Sequence, residues 1–258
     1  MQGQYKKELE IMESAVRKAY AEVFSADRSS SKDKGKFDVV TENDFRIEKY
    51  LIKTIEDNFS GDLILSEEYN SETAVKGRTW TVDPIDGTYN MTRNAPLFGI
   101  QCALYENDEI VFAIGYLPVF DEMYHAQKGC GAYLNGKKIT VNKFDVEHSV
   151  VSFGDISHRR TDDAADQLKI MNGLSQYVAK YRMFGTACFD FVYLASGRID
   201  GTVIFTKNKW DIAPGMLIAK EAGALVRSLD GDYNNDSRAV IATATPELYE
   251  LIAECYKK

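Results

Sequence analysis

The chain has 258 residues, 45% hydrophobic and 27% charged, enough to bury one large core or two joined halves in an ordinary water-soluble protein. Its formal net charge of −8 argues against a nucleic-acid surface, and a carboxylate-rich site would add to that acidity. Cys102, Cys130, Cys188 and Cys255 lack C-x-x-C spacing and the three histidines lack metal-ligand spacing, which argues against zinc and fits buried, reduced thiols.

The N-terminus carries no apolar leader, and no run approaches the ~18 apolar residues of a membrane span, so a soluble cytoplasmic protein is expected. Leu9, Met12, Val16, Ala19, Tyr20 and Val23 recur every three or four residues and predict an amphipathic helix. Residues 25–36 are polar and read as a loop. It is either a solvated linker or a mobile flap carrying Lys32, Lys34 or Lys36 towards a phosphate. Phe45, Ile47, Leu51, Ile52 and Ile55 mark a second helix, with Thr41 or Asn43 as its cap and Asp44 in its first turn. Leu63-Ile64-Leu65-Ser66-Glu67-Glu68 reads as a short strand delivering acid at its tip, with Glu68 pointing away from Glu67.

The most specific stretch follows: Trp80-Thr81-Val82-Asp83-Pro84-Ile85-Asp86-Gly87-Thr88. In a continuing strand Asp83 and Asp86, three apart, would face opposite ways. Pro84 cannot donate to a ladder and Gly87 permits a tight turn, so the strand is predicted to end here with both carboxylates converging at its tip. Between them Ile85 offers only its backbone carbonyl. Three hard oxygens beside the Thr88 hydroxyl suit a Mg²⁺ site that keeps several waters. Gly87 and Thr88 also open a turn whose N–H groups suit a phosphate.

Beyond it, Phe98 to Tyr105 and Ile110 to Leu117 read as strands, followed by Met123 to Ala126 and Gly131 to Leu134, with Asn135-Gly136 as a hairpin turn. The second half alternates strand and helix, implying a sheet flanked by helices. A boundary in residues 137–146 divides the chain into an α+β half, 1–140, and an α/β half, 141–258. Asp211, in Lys209-Trp210-Asp211, precedes a helical pattern and is either an N-cap or a ligand. His125 and His158 stand alone and read as structural.

Three stretches, Ser66-Glu67-Glu68, Asp83-Pro84-Ile85-Asp86-Gly87-Thr88 and Trp210-Asp211, resemble those of the inositol monophosphatase superfamily, Mg²⁺-dependent, lithium-sensitive phosphatases. Asp38 to Asp44, Gly185-Thr186-Ala187 and Glu221 to Ala224 support the resemblance, in the family's order. It implies a layered α-β-α-β-α sandwich of the sugar phosphatase type, mixing α+β and α/β character. It implies Glu67, Asp83, the Ile85 carbonyl, Asp86 and Asp211 as ligands of two or three Mg²⁺ ions. Thr88 would help orient the attacking water, with Asp44 and Glu67 as its hydrogen-bonding neighbours, while Gly87, Thr88, Ala187 and Lys207 would meet the substrate. Such ions can stabilise phosphoryl transfer to water without a covalent nucleophile. The expected partner is a small phosphorylated metabolite, with neither nucleic acid nor membrane involved.

In inositol-specific relatives an acidic residue lies seven positions before the aspartate of the Trp-Asp pair, and here that position is Ile204. With Lys207 and Lys209 nearby, a more anionic substrate is expected, such as a sugar bisphosphate or phosphonucleotide. A homodimer is expected too, because Tyr105, Phe112, Tyr116, Phe120 and Tyr124 exceed what one sheet face must bury. The rival from another class is a non-catalytic binding module on the same fold. The intact acidic set argues against it.

Overall fold

The computed structural model describes residues 4–24, 31–35, 38–156, 160–234 and 236–257; Lys36 and His158 lie outside them. Among the described residues are seven α-helices and fourteen strands, arranged in five layers.

The first layer is α1 (Lys6–Lys18), which runs on into a π-helical turn, Ala19–Val23, and α2 (Glu42–Asn58). The apolar stripe read from the sequence (Leu9, Met12 and Val16, then Ile47, Leu51 and Ile55) is buried against Trp80, Val82, Leu104 and Phe112 of the adjoining sheet. Thr41 caps α2 in a capping box with Asp44. Just before it, β1 (Lys32–Gly35) pairs antiparallel with β2 (Asp38–Val40). Lys32 and Lys34 therefore lie on a strand rather than in a structureless loop. Composition alone conceals a pairing that needs no apolar side chain.

The second layer is a seven-stranded sheet of β3 (Leu63–Ser66), β4 (Arg78–Asp86), β5 (Gly99–Glu106), β6 (Glu109–Leu117), β7 (Glu122–Gln127), β8 (Gly131–Leu134) and β9 (Lys137–Ile139), in chain order across the sheet. Only β3 and β4 are parallel among these neighbours. Asn135 and Gly136 turn β8 into β9 with positive φ at both residues (48° and 75°), as a tight hairpin requires.

The third layer is α5 (Ala187–Ala195) and α6 (Lys209–Glu221), packed between this sheet and a second one. That second sheet comprises β10 (Val150–Phe153), β11 (Lys180–Arg182), β12 (Gly201–Ile204), β13 (Leu225–Arg227) and β14 (Val240–Thr243), in the order β11-β10-β12-β14-β13. Outside it lie α4 (Thr161–Leu174) and α7 (Pro246–Lys257), whose Ile170, Leu174, Leu248 and Ile252 pack on Phe153, Val203 and Ile241. The order is α-β-α-β-α.

Two expectations change. The β4 strand ends in the expected stretch, but only at Asp86, so both aspartates lie within it. Asp83 pairs with Gln101 and Asp86 with Gly99, so three steps on β4 oppose two on β5. The extra residue is a bulge at Pro84-Ile85, where a missing N–H costs no ladder bond, and it turns Asp86 to the side of Asp83. The aromatic strand residues are mostly internal: Tyr105, Phe112, Tyr116 and Tyr124 are at most 8% exposed, whereas Phe120 is 44% exposed. Helices cover both faces of the seven-stranded sheet, so both faces need apolar side chains.

Candidate active site

The acidic residues meet at one end of the first sheet, where α6 begins. Asp83 and Asp86 arrive on the β4 bulge, Glu67 follows the end of β3, and Asp211 lies in the first turn of α6. Asn208 is the cap residue of α6, so the N-cap explanation of Asp211 falls; its carboxylate instead accepts from Thr206 Oγ1 at 3.1 Å. Glu67 stays in register because its N–H donates to the Val82 carbonyl at 3.3 Å.

Burial pushes Glu67 up to about 8, and the Asp211 charge adds to it. Burial likewise raises Asp86 and Asp211 to about 7. Asp83 sits well above the ordinary carboxylate range, through burial and then through the charges of Glu67, Asp86 and Asp211. Four carboxylates held this way repel one another unless protons or cations intervene.

Two donors face them. Gln101, buried on β5, directs its amide at Asp83 Oδ2 (3.4 Å), Asp86 Oδ2 (3.2 Å) and the Asp211 carbonyl (3.0 Å). Lys34 reaches in from β1 to Glu67 (3.2 Å) and Glu68 (2.7 Å). Burial works against that ammonium, but the two glutamates outweigh it and hold it charged. Glu68 therefore shares a cation with Glu67 rather than pointing away, while its N–H donates to Glu48 at 2.9 Å. Sequence reasoning missed Gln101, whose signal is one amide in an otherwise apolar strand, Phe98 to Tyr105.

Thr88 opens a short helix, α3 (Thr88–Thr92), behind Gly87 with φ at +97°. A Cβ on Gly87 would lie 2.8 Å from the Leu97 carbonyl oxygen and 3.2 Å from Thr186 Cβ, so this turn needs glycine. The Thr88 hydroxyl lies 2.9 Å from both Asp44 Oδ1 and the Ile85 carbonyl. The other Asp44 oxygen accepts from the Thr41 N–H (2.8 Å) and hydroxyl (2.5 Å). Asp44 is thus both a helix-capping residue and the anchor of Thr88. From the far side, Thr186 Oγ1 (2.9 Å) and the Cys188 N–H (2.5 Å) donate to Asp86 Oδ2, placing the start of α5, with Ala187, against the carboxylates.

The donor set suits a hard cation: carboxylate and carbonyl oxygens, with neither imidazole nor thiolate among them. Among the described residues no three acidic, His or Cys side chains close on one point at ligand distance. His125 is buried, stacks on Tyr133 at 5.1 Å and is pushed down to about 4 by burial, so it is a packing residue.

A sequence profile of the Inositol monophosphatase family matches residues 5–258. The chain belongs to that family. It is 37% identical over 217 residues to an inositol monophosphatase of Dictyostelium discoideum, covering 81% of this chain and 79% of that protein. It is 34% identical over 200 residues to a fructose-1,6-bisphosphatase/inositol-1-monophosphatase of Thermotoga maritima, covering 77% and 74%. The extragenic suppressor protein suhB of Bartonella henselae superposes with a TM-score of 0.86 at 28% identity, over 98% of this chain and 99% of that one. This inositol monophosphatase family member is a phosphoric monoester hydrolase with the family's layered fold.

A more anionic substrate has less support in the structure than in the spacing of the lysines. Ile204 is a core residue, 6% exposed, and offers no acceptor to a substrate hydroxyl. Lys209, however, places its ammonium 5.8 Å from the Tyr105 ring centre and within the field of Asp108. Lys207 is exposed on the loop before α6.

Proposed function

We propose that the protein is a Mg²⁺-dependent phosphomonoesterase acting on a small phosphorylated metabolite in the cytoplasm. The observation that carries this reading is the meeting of Glu67, Asp83, Asp86 and Asp211, all raised by burial. With the Ile85 carbonyl they would hold two or three ions, most ligands coming from residues 1–140 and Asp211 from residues 141–258. Bound Mg²⁺ would supply charge neutralisation on the phosphoryl group and a lowered pKa for attacking water.

The chain's own groups position the rest. The Thr88 hydroxyl donates its hydrogen bond to Asp44 Oδ1 or to the Ile85 carbonyl. That leaves an oxygen lone pair to accept from the attacking water and aim it. The N–H groups at the starts of α3 and α5, at Gly87, Thr88 and Ala187, face anions favourably, and Lys207 is the cation on the approach. Lys34 already lies between Glu67 and Glu68 and adds positive charge at the same mouth.

Phosphate release measured with and without Mg²⁺ tests the reading. Asp83→Asn should lose turnover with little change in melting temperature, since an amide cannot replace a charged ligand. Wild-type turnover by that variant would sink it. The homodimer remains part of this reading on a different surface. Val119, Phe120 and Met183 are 44–45% exposed, and Phe120 packs on Phe189, whose ring contacts Phe184 beside Met183.

A further inference from the structure

α2 carries two buried carboxylates four residues apart, Asp44 and Glu48, and therefore on one face of the helix. Asp44 anchors Thr88. Glu48, wholly buried, meets the segment that follows β3 instead. Its Oε2 accepts from the Glu68 N–H at 2.9 Å and its Oε1 from the Tyr69 N–H at 2.7 Å. The Ser66 hydroxyl bonds the same carboxylate, and Ser66 Oγ itself accepts from Asn70 Nδ2 at 3.3 Å. These partners are all donors, the set that an ionised carboxylate takes. A buried carboxylate is costly unless such bonds are kept, so they pin the segment from Ser66 to Tyr69 to α2. The Phe45 and Tyr69 rings, 5.7 Å apart and edge to face, hold the same junction.

Glu67 sits inside that pinned segment. β3 ends at Ser66, and the ladder gives Glu67 a long backbone bond, from its N–H to the Val82 carbonyl at 3.3 Å. The Ser66 hydroxyl and the N–H groups of Glu68 and Tyr69, which flank it, go to Glu48. Asp83 and Asp86 stand on β4 and Asp211 on α6, whereas Glu67 stands on irregular backbone. Like charges push these four apart. Glu67 is the member whose backbone could yield to that push, and Glu48 is what resists it.

We propose that Glu48 is a positioning residue for divalent-cation binding: by holding the Glu68 and Tyr69 N–H groups it keeps the Glu67 carboxylate turned into the acidic cluster. It acts through the backbone of the neighbouring residues. This rests on the Mg²⁺ reading of the site above.

The test is calorimetric titration of the metal-free protein with Mg²⁺, for wild type, Glu48→Gln, Ser66→Ala and a control, Ile55→Val. Ile55 is buried on the same helix, seven residues beyond Glu48, so its truncation lowers Tm without touching the pinned segment. Glu48→Gln keeps the shape but turns an NH₂ towards one of the backbone N–H groups. It should weaken Mg²⁺ binding roughly tenfold or more, the usual cost of losing a group that orients a metal ligand. Its Glu68 and Tyr69 amides should also exchange with deuterium faster. Ser66→Ala should weaken binding roughly threefold, the effect of one lost hydrogen bond. Saturating Mg²⁺ should return kcat of Glu48→Gln to within about threefold of wild type. Wild-type Mg²⁺ affinity in Glu48→Gln, or an equal loss in Ile55→Val, overturns the proposal. So does a loss of kcat that saturating Mg²⁺ leaves in place. If Glu48→Gln fails to fold, Ser66→Ala decides by the same affinity criterion. A wild type that binds Mg²⁺ but releases no phosphate defeats the phosphatase reading and leaves this one to the affinities; a wild type that binds no Mg²⁺ overturns this one.

Discussion

Asp44 joins two tasks that a double-mutant cycle can separate. In Asp44→Asn the amide oxygen can keep both Thr41 bonds (2.8 and 2.5 Å), but the charge that strengthened them is gone. Each charge-assisted bond is stronger than its neutral counterpart by about 1 kcal/mol. Against this, burial already raises the Asp44 pKa, so a neutral side chain recovers part of the desolvation cost. The net loss is about 1 kcal/mol, or roughly 2–4 °C in Tm for a chain of this size. The amide NH₂ then faces Thr88 and donates to its hydroxyl oxygen, competing with the attacking water for that acceptor. Catalysis should fall about 10²-fold or more, as when an oriented proton-transfer partner is lost. Thr88→Val should fall by a similar factor with no loss at the Thr41 cap. Steady-state kinetics and thermal melts of wild type, both single variants and the double variant give the answer. In the double variant kcat/KM should match that of Thr88→Val alone, while the stability loss persists. If Asp44→Asn costs as much catalysis in the Thr88→Val background as in wild type, Asp44 acts by some route other than Thr88.

In EDTA the native protein should lose stability as pH rises. Glu67, Asp86 and Asp211 have folded pKa values of about 8, 7 and 7, above ordinary values of 4.5, 3.8 and 3.8, so the native state binds more protons between those limits. The slope of unfolding free energy against pH is then negative from about pH 4 and flattens above about pH 8. Chemical denaturation at pH 5 and pH 8 checks this, and equal stability at the two would contradict it. Lithium, titrated at limiting Mg²⁺, should inhibit through the Asp211 side, the position expected to hold its ion most weakly; a flat titration counts against that assignment. Light scattering should give about twice the 29.1 kDa chain mass, and Phe120→Asp should shift the protein towards monomer. A wild-type species of 29.1 kDa at micromolar concentration would refute the dimer.

Much of the site was readable because its causes are local. Asp83-Pro84-Ile85-Asp86-Gly87-Thr88 combines a missing N–H, a fixed acid spacing and a residue tolerant of positive φ, all properties of adjacent residues. The Thr41–Asp44 capping box is local in the same way, as is the helical spacing of Leu9, Met12 and Val16. What the sequence left undecided depends on partners distant along the chain. Whether Asp86 turns towards Asp83 is settled by a bulge, and a bulge exists only against β5. Gln101 and Lys34 become site residues only once their strands are placed beside the acids. Lys209 stands two residues before Asp211 in the chain, yet its ammonium goes to Tyr105. One-dimensional spacing fixes which face a side chain can take. Which groups then meet is set by pairings that only the packed sheets and helices create.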